Sequence, residues 1–203
     1  MMDTDSDRLG VLALQGDFQA HEETLRRLGI ACREVREPAA LRDLQGLIIP
    51  GGESTTLLKL MEKRSFQGAL AAFHKEGGAL FGTCAGLILL AKRVTSPPQT
   101  SLGLLDVDVE RNAYGRQAES FEAAADWAAE PLAGGDGADP LPLIFIRAPR
   151  ITRSGPDVVP LVRCRGDLVL VRQGRILAAS FHPELSTDTK VHRLFLDLIR
   201  ARP

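Results

Sequence analysis

A cysteine hydrolase needs a thiol, an imidazole and a carboxylate, and two short runs supply them. These are Phe81-Gly82-Thr83-Cys84-Ala85-Gly86 and, far downstream, Phe181-His182-Pro183-Glu184. Residues 79–81 read as a short buried strand and 85–92 as a helix, so Cys84 stands at a strand-to-helix turn. Such a turn is tight and calls for small residues two positions either side of the nucleophile, as Gly82 and Gly86 are. The side chain then points out of the sheet. The helix N-terminus aims N–H groups and partial positive charge at the sulfur, which favours the thiolate. The N–H of Ala85 is placed to donate to an oxyanion. A lone G-x-C-x-G also describes a structural cysteine among packing glycines.

The second run decides between these readings. His182 and Glu184 are two residues apart after the apolar stretch 176–181, so in an extended chain both side chains leave the same face. A carboxylate on one ring nitrogen fixes the imidazole tautomer and leaves the other nitrogen to exchange a proton with sulfur, which is triad logic. Alone, His-Pro-Glu is usually a turn; paired with the cysteine elbow it completes a nucleophile, a base and an orienter.

A third segment, Leu47-Ile48-Ile49-Pro50-Gly51-Gly52-Glu53-Ser54-Thr55-Thr56, is an apolar strand running into a Gly-Gly turn before a helix. Glycine lets the backbone approach a substrate and turn an N–H inward, so Gly52 supplies the second half of an oxyanion hole with Ala85. Ser54 or Thr55 is expected to cap a helix over 56–64. Glu53 does not help anion binding, and its expected use is to hold a cationic part of the substrate such as an α-ammonium. The bland alternative is a solvated loop glutamate.

The elements that must position these groups alternate between strand and helix. Strands are expected over 10–14, 31–35 and up to residue 49, and helices over 18–28, 39–44, 55–64 and 66–76. Beyond residue 104 short strands dominate, at 105–110, 143–146, 158–163, 168–172 and 176–181, before a closing helix over 187–199. The polar segment 3–8 is expected to fray. Repeated βα units predict an α/β fold: a mostly parallel central sheet with helices on both faces, extended by antiparallel strands. Ligands in such a sheet sit beyond the carboxyl ends of the strands, which brings Gln15, Gly52, Cys84 and His182 to one rim.

Gly-Thr-Cys-Ala-Gly with His-Pro-Glu resembles the triad class of glutamine amidotransferases. The run Pro50 to Thr56 narrows the resemblance to the glutaminase subunits of pyridoxal 5'-phosphate synthase. Further matching stretches are Leu12-Ala13-Leu14-Gln15-Gly16-Asp17-Phe18 with His21, Glu110-Arg111-Asn112-Ala113-Tyr114-Gly115-Arg116-Gln117, and Phe145-Ile146-Arg147-Ala148-Pro149. The resemblance implies a three-layer, flavodoxin-like class I glutamine amidotransferase fold. It implies Cys84 as nucleophile with His182 and Glu184, and Gly52, Glu53, Ser54, Arg116, Ile146 and Arg147 as the glutamine-binding positions. An arginine fork suits the α-carboxylate as Glu53 suits the ammonium. The implied reaction passes through a thioester and releases glutamate and ammonia, with no metal and no cofactor. The ammonia goes to a partner synthase subunit, a (β/α)₈ barrel, in a hetero-oligomeric complex whose docking raises a low resting activity. The departure from the family pattern is the Ala/Gly/Asp/Pro-rich stretch 124–142, longer than usual, which reads as a flexible loop.

Two other readings compete. One is the ammonia-supplying subunit of imidazole glycerol phosphate synthase, against which the Gly-Gly-Glu-Ser-Thr-Thr run speaks; the other is a retired amidotransferase domain that only binds, against which the intact Cys84, His182 and Glu184 speak. At 203 residues the chain is expected to form a single glutaminase domain. Its 26 acidic and 25 basic residues leave no electrostatic footprint for nucleic acid or an anionic membrane. No apolar run reaches membrane-spanning length. The three cysteines, Cys32, Cys84 and Cys164, are an odd number without a signal peptide, which points away from a disulfide framework and to a reducing cytoplasm.

Overall fold

The computed structural model describes residues 8–111, 113, 120–127 and 140–201. The core of the fold is a run of five parallel strands. In spatial order these are β2 (Arg33–Val35), β1 (Leu9–Leu12), β3 (Gly46–Ile49), β4 (Ala79–Thr83) and β12 (Ile176–Ala179). β1, β3, β4 and β12 are buried along their whole length, as strands covered on both faces must be.

Period-two alternation sends their side chains into two separate cores. Leu12, Leu47, Ile49, Leu80, Ile176 and Ala178 face one, whereas Val11, Ile48, Phe81, Leu177 and Ala179 face the other. Helices α2 (Ser54–Lys63), α3 (Phe66–Lys75) and the short α4 (Ala85–Leu90) cover the first core with Leu57, Met61, Phe66, Leu70 and Leu87. Helices α1 (Phe18–Arg27) and α5 (Lys190–Arg200) cover the second. In α5 the stripe Val191, Leu194, Phe195 and Leu198 is buried at helical spacing. Because β1 leads to β2 on one side and β3 leads to β4 on the other, the loops after β1 and β3 part to opposite faces. The crevice between them is the topological switch point where α/β sheets bind ligands.

The antiparallel extension continues from β12 through β11 (Asp167–Gln173), β9 (Arg150–Ser154), β6 (Leu105–Glu110) and β5 (Ala91–Thr95), the last parallel to β6. β10 (Val159–Cys164) pairs with β11. A two-stranded ribbon, β7 (Ser120–Ala125) with β8 (Leu141–Ile146), completes the described strands and touches β10 through a Trp127–Val162 bridge.

Several sequence expectations need correction. The helix expected over 85–92 stops at Leu90, and Ala91–Thr95 is instead strand β5, where pairing with β6 buries Ala91 and Val94 and leaves Lys92 and Arg93 exposed. The expected loop 124–142 begins and ends in paired strands: Ala124 lies opposite Pro142 and Ala125 opposite Leu141, while 128–139 fall outside the described residues. β7 and β9 carry no strong strand signal. One is alanine-rich and the other alternates Ile151 with polar residues, so only their sheet neighbours hold them extended. The expected helix over 39–44 is a single 3₁₀ turn, Pro38–Leu41. Of the segment expected to fray, 3–7 lie outside the described residues. No helix among the described residues is long and apolar enough to cross a membrane.

Candidate active site

The β4–α4 turn holds Cys84 at φ 47°, ψ −99°, a positive-φ conformation that a non-glycine residue enters only when its surroundings demand it. The demand is visible on both sides. A Cβ on Gly82 would come within 2.6 Å of the Gly86 carbonyl carbon, and one on Gly86 within 2.1 Å of the Ile49 carbonyl oxygen. Only hydrogen at those two positions lets strand, helix and the neighbouring β3 close around the cysteine. Cys84 donates its N–H to Ala179 at 2.9 Å, which pins the turn to β12, and its sulfur lies 4.0 Å from the Ile146 carbonyl oxygen. The other two cysteines sit elsewhere. Cys164 is buried in the second core, and burial with Glu22 and Glu34 nearby pushes the Cys32 thiol up to about 11.

His182 follows the end of β12 and is 3% exposed, with its N–H bonded to Ile144 at 2.8 Å. Its Nδ1 lies 2.8 Å from Glu184 Oε1, which leaves Nε2 for the hydrogen bond it shares with Cys84. The chain is not extended here, contrary to expectation. The strand ends at Ala179, and Pro183–Leu185 is a 3₁₀ turn that folds the carboxylate back under the ring. Proline fixes φ and cannot continue a ladder, so it starts the turn. Burial opposes charge on His182, but the hydrogen bonds to Cys84 and Glu184 and their charges together raise it to about 10. Glu184 is pushed up by its own burial and pulled back by His182.

Glycine also shapes the crevice wall. A Cβ on Gly51 would stand 2.4 Å from His182 Cε1, and one on Gly16 would stand 1.8 Å from the Gly51 carbonyl oxygen. Gly52 has φ 146°, and the Gln15 amide lies against it while accepting the Glu53 N–H at 3.1 Å. Ala85 opens α4, where the first N–H groups of a helix have no intrahelical partner. Asp17 Oδ2 lies 3.7 Å from His182 Nδ1, and one ligand atom each of Asp17, His182 and Glu184 falls within 4.8 Å of the others. The shortest contact in that group is the imidazole–carboxylate hydrogen bond between His182 and Glu184.

The model of the SNO glutamine amidotransferase family matches residues 11–201, almost the whole chain. The chain belongs to that family. It is 51% identical over 199 residues to pyridoxal 5'-phosphate synthase subunit PdxT of Deinococcus radiodurans, covering 96% of this chain and 98% of that protein. It is 47% identical to the subunit of the same name from Thermotoga neapolitana, covering 95% and 100%. A crystal structure of a glutamine amidotransferase superposes with a TM-score of 0.87 at 48% identity, covering 96% of this chain and 100% of that one. PurLQS of Thermotoga maritima shares the fold at a TM-score of 0.71 and 16% identity, over 95% and 98% of the two chains.

The other positions expected in this amidotransferase site fall as follows. The helix start is capped by Glu53, not by Ser54 or Thr55. The Glu53 carboxylate accepts from Thr55 N at 3.2 Å and Thr56 N at 2.7 Å, and from both threonine hydroxyls. The helix begins at Ser54, earlier than expected, so Glu53 holds the N-cap position and takes the N–H groups of the second and third helical residues. These bonds, led by the Thr55 hydroxyl, hold its carboxyl down to about 2, and Arg111 stands 3.6 Å away. Ser54 is buried and donates to Gln99 Oε1 at 2.9 Å. Ile146 and Arg147 are exposed at the end of β8, with Arg147 at φ 44°, whereas Arg116 lies outside the described residues. Sequence reasoning did not single out Asp17, Thr83, Gln99 or Arg111 as site residues. Asp17, Thr83 and Arg111 do fall within the matching stretches, which is their only signal.

Proposed function

We propose that Cys84, His182 and Glu184 hydrolyse the side-chain amide of L-glutamine, and that this chain is the glutaminase subunit of pyridoxal 5'-phosphate synthase. The observation that carries the reading is the forced positive-φ turn at Cys84 facing an imidazole whose Nδ1 is bound to Glu184 at 2.8 Å. Cys84 thiolate attacks the amide carbon, and the carbonyl oxygen becomes an oxyanion stabilised by the backbone N–H groups of Gly52 and Ala85. His182 protonates the departing ammonia. It then takes a proton from the water that cleaves the thioester and releases glutamate. Glu184 holds the ring and stabilises imidazolium throughout.

Gly52, Glu53 and Ser54 with Arg116, Ile146 and Arg147 form the glutamine pocket. Glu53 stays charged while capping α2 and retains an exposed side for the α-ammonium, and the arginines suit the α-carboxylate. Ammonia passes to the synthase subunit, a (β/α)₈ barrel, within a hetero-oligomer. Residues 1–203 act as one glutaminase domain in a reducing cytoplasm, which keeps the thiol usable. The Gln15 side chain lies against Gly52, so docking on this rim is expected to reorganise the oxyanion site and raise turnover.

Glutamate release by the chain alone and with saturating synthase, with pyridoxal phosphate formation in the complex, tests the proposal. We expect turnover that rises with the partner and vanishes in Cys84→Ala, and labelling at Cys84 by a glutamine-mimicking electrophile. Labelling at Cys32 or Cys164 instead, or full turnover in Cys84→Ala, would overturn it.

A further inference from the structure

Behind the triad lies a second polar chain with no part in the chemistry described so far. Glu184 is 4% exposed, and its Oε1 is spent on His182. Its Oε2 is enclosed and, among the described residues, has no hydrogen-bond partner within normal reach. The imidazole of His21, wholly buried on α1, faces it with Nε2 at 3.5 Å. The same Nε2 lies 3.1 Å from the hydroxyl of Thr83, the residue before the nucleophile. On its other side His21 Nδ1 lies 2.9 Å from Nε2 of the equally buried His192 on α5.

Only one pair of tautomers suits this chain. If both rings carry their proton on Nε2, His192 donates to His21 Nδ1, and the His21 N–H points at Thr83 and Glu184. The unpaired atom is then His192 Nδ1, a bare acceptor, and of the four nitrogens of the two rings that atom lacks a partner among the described residues. The opposite choice buries an N–H at His192 with nothing to receive it and sets a lone pair of His21 against a carboxylate. A stranded donor and a repulsion cost more than a stranded acceptor. Both rings stay neutral: burial pushes each down, helped at His21 by His192 and His182 and at His192 by Arg27. Asp17 and His182 are the other charged groups facing Glu184.

We propose that His21, its tautomer fixed by His192, is a positioning residue that holds the second oxygen of Glu184, keeping this carboxylate ionised and aimed at His182. The inference rests on the triad reading. At 3.5 Å the contact is long, and contacts of this kind in unliganded sites tighten as charge develops on the base. Without the N–H, the enclosed carboxylate takes up a proton more readily. Imidazolium then loses its counter-charge, and the Cys84 thiolate that pairs with it forms only at higher pH.

The test compares His21→Leu with His21→Gln, whose amide N–H reaches the position of Nε2. Two measurements are made: glutamate release by the complex with synthase, and the pH dependence of Cys84 alkylation by iodoacetamide. We expect kcat to fall about tenfold in His21→Leu with KM within about twofold, the loss typical of one hydrogen bond to a charged group. The alkylation midpoint should move upward by roughly one pH unit, and His21→Gln should restore most of both effects. A profile that stays in place while both variants melt earlier means a packing role only and overturns the proposal. If His21→Leu does not fold, His192→Leu carries the same test by removing the N–H that sets the tautomer, and an unmoved profile there also overturns it. Alkylation needs no glutamine and so decides the role of His21 independently of turnover. A wild-type chain that alkylates normally yet never releases glutamate counts against the glutaminase reading alone.

Discussion

Replacing His192 by glutamine should make the fold less sensitive to acid. Burial first, and Arg27 second, lower the His192 imidazole to about 3. In the unfolded chain the same group titrates near its ordinary value of roughly 6.5. Above that value neither state holds the proton, and the burial of neutral His192 contributes its full stability. As the pH falls, the unfolded chain takes up a proton that the folded chain refuses. Stability therefore drops by about 1.4 kcal/mol per pH unit until the folded value is approached. Between about pH 7 and about pH 5 this amounts to about 2 kcal/mol, a large share of the roughly 5–15 kcal/mol that holds a domain together. Glutamine keeps an N–H for His21 Nδ1 but does not titrate, so His192→Gln should escape this loss. Urea unfolding of both proteins at the two pH values measures it, because carboxylates common to both cancel in the difference. Equal losses in wild type and variant would refute the reasoning and mean that His192 takes up a proton in the folded state.

Gly51→Ala places a methyl 2.4 Å from His182 Cε1, so the ring must move. A displacement of about 1 Å should cost roughly a hundredfold in kcat with the fold retained by circular dichroism, and a loss under threefold would count against the placement of His182. Gly86→Ala, which drives a Cβ to 2.1 Å from the Ile49 carbonyl oxygen, should destabilise by about 1–3 kcal/mol in urea. Gly68→Ala in the first turn of α3 meets open space and should instead stabilise by about 0.5 kcal/mol; the reverse order would contradict the packing at the elbow. His182→Asn should lower turnover further than Glu184→Gln, since the first removes the proton carrier and the second leaves a side chain able to hydrogen-bond the ring. Equal or reversed losses in proteins of matched stability would mean that the two roles are wrongly assigned.

The cluster proposed as a triad was legible because each member sits in a local context that betrays it. Gly82 and Gly86 frame Cys84, and His182 and Glu184 are two residues apart. What sequence periodicity could not supply was the path by which groups meet. His182 reaches Glu184 through a 3₁₀ turn rather than along a strand. The apolar run after Cys84 changes from helix to strand at Ala91, where nothing in composition marks the boundary but a pairing partner in β6 does. Glu53 caps α2 although serine and threonine stand next to it. Its extended backbone, at φ −90° and ψ 109°, turns the longer side chain onto the helix start.

The contact between His21 and His192 spans 171 residues of sequence, and no pattern within either helix announces it. Each histidine falls on the buried stripe of its own helix, where hydrophobic periodicity alone would place an apolar side chain. Two buried imidazoles in one core cost desolvation and leave a ring nitrogen of His192 without a partner among the described residues, whereas leucine at both positions would carry neither penalty. The fold tolerates that cost on the one face where α1 and α5 close over the strand that ends in Thr83 and Cys84. A polar chain there, running from His192 through His21 to the carboxylate that orients His182, gives the expense a destination that packing alone does not.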